Sequence, residues 1–143
     1  MALKSEVILL THRLKKSENL TKSEQFQTYQ LYIKISHDLF LTIGQLGQFC
    51  FPAGLYIYTG SAKRSMDKRL TRHLAPNKKL RWHIDYLLNN PCAKIIDIKK
   101  YKATECQVNA GTNGRIIVPG FGASDCRAGC GSHLKYCSLQ QEC

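Results

Sequence analysis

Over YQLYIKI, Tyr29, Leu31, Ile33 and Ile35 alternate with polar or less apolar neighbours, the period of two that marks a half-buried strand. Ser36-His37-Asp38 is a turn signal, and Leu39 to Ile43 reads as a second strand returning antiparallel. Gly44 to Pro52 is a glycine-bearing connection with room for another short strand at Gln48 to Phe51. From Gly54 to Gly60 the alternation returns, with Leu55, Ile57 and Thr59 set against Tyr56 and Tyr58. The period then changes. Met66, Leu70 and Leu74 recur at four-residue steps, the apolar stripe of a helix. Pro76 and Asn77 close that helix, and Asn77 is placed to cap another with Leu80, Ile84, Leu87 and Leu88 as its buried stripe. Asn89-Asn90-Pro91 ends the second helix, and Ala93 to Tyr101 reads as a strand. Thr104 and Gln107 have capping-box spacing for a short helix with Glu105 in its first turn. From Gly111 the chain is irregular and glycine-rich until a closing strand at His133 to Cys137. Strands first and helices interleaved later predict an α+β domain: a small, largely antiparallel sheet flanked by helices.

At 143 residues the chain is one domain's worth. Residues 1–25 mix charges with a short apolar patch and read as an N-terminal extension without assigned function, leaving 26–143 as the domain. No apolar run has the length of a membrane helix, and the N-terminus lacks the pattern of a secretory leader. The expectation is a cytoplasmic protein with no membrane partner. Seven cysteines, an odd number, argue for reduced thiols over a disulfide framework.

Charge changes the picture most. The formal net charge is +11, and between Gly60 and Trp82 eight Lys or Arg stand against a single acid, Asp67. A cluster of that kind suits a polyanion. It sits where the chain changes from strand to helix. Gly60, a short polar loop and a helix bearing Arg69, Arg72 and His73 on one face would place backbone N–H groups and cations around a phosphate. Ser61, Lys63, Arg64, Lys68 and Arg72 are the candidate nucleic-acid contacts. Charge alone does not separate DNA from RNA.

YTGSAKRSMDKRLTRH resembles the second signature of the GIY-YIG nuclease superfamily, a Tyr-x-Gly followed by a helix with a catalytic arginine. WHIDYLL at Trp82 to Leu88, the pair Glu105-Cys106, and PGFGASDC…SHL from Pro119 to Leu134 resemble an uncharacterised branch of that superfamily. Its members occur alone or fused to endonuclease III. The resemblance implies that Tyr58 and Gly60 are the tyrosine and glycine of the second signature. It makes Arg69 the helix arginine, His73 the position one turn later, and Glu105 the single carboxylate that holds a divalent metal. A literal Gly-Leu-Tyr at Gly54 to Tyr56 lies on the same strand as Tyr58. The better match to the first signature is Gln27-Thr28-Tyr29, with Tyr29 as the first tyrosine.

The chemistry so implied is hydrolysis of DNA phosphodiester bonds with Mg2+ (or Mn2+), in repair or processing. Arg69 would stabilise charge at phosphorus, and a tyrosine, aided by His73, would orient or deprotonate water. The other reading is a nucleic-acid-binding module that keeps the basic cleft without turnover. Without the resemblance, Tyr29 and Tyr58 would read as sheet-packing aromatics, and Asp85 as the partner of Arg81 four residues back. Near the C-terminus, Cys126-x3-Cys130-x2-His133 offers metal-ligand residue types. Zinc there would need a fourth ligand from Cys106, Cys137 or Asp125, and free thiols in a tight loop are the preferred reading. Pro119 to Asp125 reads alternatively as a turn closing over the site, with Ser124, Asp125 and His133 as substrate contacts.

Overall fold

The computed structural model describes residues 25–124 and 126–137; the N-terminal extension expected at 1–25 falls almost entirely outside them, as does Asp125. Among the described residues there are six strands and three helices: β1 (Thr28–Ile35), β2 (Leu39–Thr42), β3 (Gln48–Phe51), β4 (Gly54–Ser61), α1 (Met66–Leu74), α2 (His83–Leu88), β5 (Ala93–Tyr101), α3 (Glu105–Ala110) and β6 (Leu134–Cys137). A 3-10 turn spans Gly44–Leu46. The main sheet runs β5-β1-β4-β6 with every pairing antiparallel, and β2 with β3 makes a separate two-stranded sheet. This is the α+β architecture expected from the hydrophobic pattern.

The apolar face of the main sheet is written by the alternation in β1. Leu31, Ile33 and Ile35 are fully buried, and Tyr56 and Tyr58 of β4 share their face. Leu70 of α1, Ile84 and Leu87 of α2, and Val118 and Phe121 of the late loop complete the same core. β5 holds its register through a bulge: Leu31 pairs with Ile98 and Ile33 with Ile95. The extra residue puts Ile95 and Ile98 on one face and leaves Ile96 exposed.

Three expectations are corrected. β2 does not return along β1, because both edges of β1 are taken by β4 and β5; it pairs with β3 instead. The second helix begins at His83, not near Asn77, and Leu80 is 52% exposed rather than buried. The Asp85 carboxylate causes the late start by accepting from the backbone N–H groups of Arg81 (2.9 Å) and Trp82 (2.8 Å), which fixes the N-terminal turn there. The third concerns the cysteines: Cys137 is disulfide-bonded, whereas Cys50, Cys92, Cys106, Cys126 and Cys130 are free.

Candidate active site

Antiparallel pairing brings the start of β1 and the end of β4 to one end of the sheet, with Tyr29 opposite Gly60 and Leu31 opposite Tyr58. Residues directly opposite and two apart share a face, so the Tyr29 and Tyr58 rings lie side by side, centroids 6.4 Å apart. β6 enters beside them, the backbone N–H of Thr59 donating to the carbonyl of His133 at 2.9 Å. A cleft of about 580 Å³ opens at this end. Its walls include Tyr29, Tyr58, Ser61, Arg69 and Glu105, brought from β1, β4, α1 and α3.

His73 is not on that wall. It is buried at 2% exposure beneath the cleft, its Nε2 2.7 Å from the Tyr29 hydroxyl. Burial, against the pull of Asp85, drives the imidazole down to about 3, so the ring is neutral at ordinary pH. Its Nδ1 is buried without a hydrogen-bond partner. A buried N–H left orphaned is costlier and rarer than a bare nitrogen, so we assign the tautomer in which Nε2–H donates to Tyr29. The Tyr29 hydroxyl proton is then directed elsewhere. Burial pushes both phenols above their ordinary range, with Tyr58 and Glu105 adding to the effect and Arg69 opposing it.

Arg69 reaches back from α1 and its Nη1 donates to the carbonyl of Ser61 at 2.5 Å. Its guanidinium also lies 4.9 Å from the centroid of the Trp82 ring. The capped start of α2 thus supplies a stacking platform that holds the arginine over the cleft. Arg72 stacks on the same ring at 4.3 Å, but its donors are committed elsewhere. It forms a two-pronged pair with Asp85, both distances 2.9 Å, and donates to the Lys79 carbonyl. Asp85 therefore pairs with Arg72 and not with the Arg81 side chain. Burial opposes its charge, yet Arg72 and the two amides hold the carboxyl below its usual range.

Glu105 sits in the first turn of α3, set by the reciprocal cap in which Thr104 Oγ1 accepts from Gln107 N–H and Gln107 Oε1 from Thr104 N–H. Its Oε1 stands 2.5 Å from Nδ1 of buried His133. Burial disfavours a charged ring, but Glu105 and the neighbouring Cys130 and Cys126 together outweigh it and raise His133 to about 9. Beside them Cys106, Cys126, Cys130 and His133 form a group whose ligand atoms all lie within 4.8 Å of one another, a set that could hold a metal ion. Cys137, an expected fourth ligand, is not in it.

Of the other basic residues, Lys63 lines the cleft, while Arg64 and Lys68 are exposed around an adjoining hollow with Ala62, Met66 and Lys100. The turn after Pro119 does lie against the site. Gly122 N–H donates to His83 Nδ1 at 2.9 Å, Phe121 packs edge-on to Tyr58, and Gly122 and Ser124 line the cleft. Trp82 and His83 went unassigned in the sequence, where their apolar neighbours read as a core stripe. The helix start that aims them into the cleft is set by Asp85, a contact at long range from Arg72.

Residues 28–143 match the family model described as a domain of unknown function, DUF123. The chain belongs to that family. No curated protein and no solved structure matches it. No helix among the described residues of this DUF123 chain is long and apolar enough to cross a membrane.

Proposed function

We propose that this DUF123 domain is a metal-dependent endonuclease of GIY-YIG type that hydrolyses DNA phosphodiester bonds. The observation that carries the reading is the gathering of Tyr29, Tyr58, Arg69 and Glu105 around one cleft, although they come from four separate elements. The +11 charge supports a polyanionic substrate, and Lys63, Arg81 and Arg127 add cations to the cleft wall.

Arg69 stabilises negative charge growing on the phosphoryl oxygens, and its bond to Ser61 and stacking on Trp82 fix its position before substrate arrives. Tyr29 receives a hydrogen bond from His73 and turns its own proton toward the cleft, where it orients the attacking water. Tyr58 does the same from the neighbouring strand. Both phenols stay protonated until a cation lowers them, so a divalent ion is part of the proposal. Glu105 is the residue that would hold it: Oε1 is taken by His133, leaving Oε2 as a hard oxygen donor on a partly exposed carboxylate. A single carboxylate fits Mg2+ or Mn2+, ions that keep most of their ligands as water. When bound, such an ion supplies Lewis-acid polarisation of a phosphate oxygen and the leaving group. The thiol and imidazole cluster suits a softer ion, zinc, and not magnesium.

The test is incubation of purified protein with supercoiled, nicked, branched and single-stranded DNA plus magnesium or manganese. Cleavage that disappears in both Arg69→Ala and Glu105→Gln is expected. Full activity in either variant would refute the assignment of roles, and binding without cleavage of any substrate would leave a nucleic-acid-binding module on the same fold.

A further inference from the structure

Cys106 stands on α3, Cys126 and Cys130 in the irregular loop that follows the cleft wall, and His133 at the mouth of β6. Four ligand atoms at about 2.0–2.3 Å from a tetrahedral ion lie roughly 3.3–3.8 Å from one another. Here Cys106 Sγ and Cys126 Sγ are 3.6 Å apart, and no pair in the cluster exceeds 4.8 Å. His133 supplies an independent sign. The side chain is 1% exposed, Nδ1 faces the Glu105 carboxylate, and Nε2 is buried with no hydrogen-bond partner. A buried imidazole nitrogen with no hydrogen-bond partner, on a ring whose ligand atom lies within 4.8 Å of three thiol sulfurs, is a position suited to a cation.

We propose that Cys106, Cys126, Cys130 and His133 form a closed tetrahedral site for one zinc ion, with Glu105 as the carboxylate that orients His133 from behind. Soft sulfur and imidazole donors select zinc over magnesium. A carboxylate on the far nitrogen of a metal-bound histidine fixes its tautomer and makes the near nitrogen a better ligand. The ion would tie α3, the 126–133 loop and β6 together. Glu105 then has two neighbours: one oxygen is held by the zinc-bound ring and the other is presented to the cleft. The zinc is a positioning device for that carboxylate, and its assignment stands whether or not the cleft hydrolyses DNA.

The full chain, expressed with a tag that does not bind metal and purified without added zinc, is expected to carry one zinc per chain by elemental mass spectrometry. Cobalt substituted for it should give the intense visible bands of tetrahedral thiolate coordination. Cys126→Ser and Cys130→Ser should lose the zinc, Cys50→Ser should keep it, and Glu105→Gln should keep the stoichiometry while weakening affinity about 10–100-fold. Should the cysteine variants fail to fold, alkylation of the unaltered protein decides the matter. Cys50 should react at once, with Cys106, Cys126 and Cys130 spared until a chelator is added. Alkylation of those three regardless of chelator, absence of stoichiometric zinc, or a Cys106–Cys126 disulfide in freshly purified protein would overturn the proposal.

Discussion

The Tyr29 ring lies directly across Gly60. A Cβ built on Gly60 would stand 2.5 Å from the Tyr29 phenol carbon and hydroxyl, and the two residues are opposite one another on β1 and β4. Gly60 is thus demanded by space and not by backbone conformation, since its φ is not in the left-handed region. Gly60→Ala is expected to destabilise the domain by about 1–3 kcal/mol, the range for overfilling a packed site. It should also displace Tyr29 from His73. Denaturant unfolding measures the first effect; a structure of the variant with the Tyr29–His73 bond intact would contradict the second.

Arg72 and Asp85 make a separate point. The Asp85 side chain is fully buried and that of Arg72 is 26% exposed. Removing the cation leaves a buried carboxylate with only backbone N–H partners, and loss of one partner from such a pair costs about 3–5 kcal/mol. Arg72→Ala should lower the unfolding midpoint by that order. Arg72→Met combined with Asp85→Asn should recover part of it, because the stranded charge is gone while the Asn oxygen still accepts from the Arg81 and Trp82 N–H groups.

DNA affinity should sort the cations by role. Each phosphate contact contributes about 0.9 to the slope of log affinity against log salt on duplex DNA. Lys63→Ala and Arg64→Ala should each reduce that slope by roughly that amount. Arg72→Ala, measured under conditions where it remains folded, should leave the slope unchanged, its guanidinium being held by Asp85 and the Lys79 carbonyl.

Acid sensitivity follows from His73. Its pKa is about 3 in the folded protein against an ordinary 6.5, so between these values the unfolded chain binds the extra proton. Stability is therefore full above pH 6.5 and is lost as the pH falls toward 3, by up to about 1.4 kcal/mol per pH unit from this group. His73→Gln should flatten the difference between unfolding curves taken across that window. An equally steep loss in the variant would mean that other groups dominate.

The strands β1, β4 and β5, the helix Met66–Leu74 and the Thr104 cap were legible in the sequence because each rests on periodicity or on residues a few positions apart. Tyr29, Tyr58, Arg69 and Glu105 were named through a family resemblance, and nothing local in their surroundings says that they share a cleft. Cys106 illustrates the limit: twenty residues from Cys126, it carries no spacing signal, so it stood only as one of three candidates, with Cys137 and Asp125, to complete the set.

What the chain alone determined is which segments alternate, which turn helical, and that a strong positive charge is concentrated after Gly60. Tertiary structure decided the rest. Antiparallel pairing set Tyr29 over Gly60 beside Tyr58, Asp85 took Arg72 out of the cationic face and started α2 late, and the return of β6 carried His133 to Glu105 and the thiols. Those relationships join residues far apart in sequence, and only packing around a common core brings them within reach.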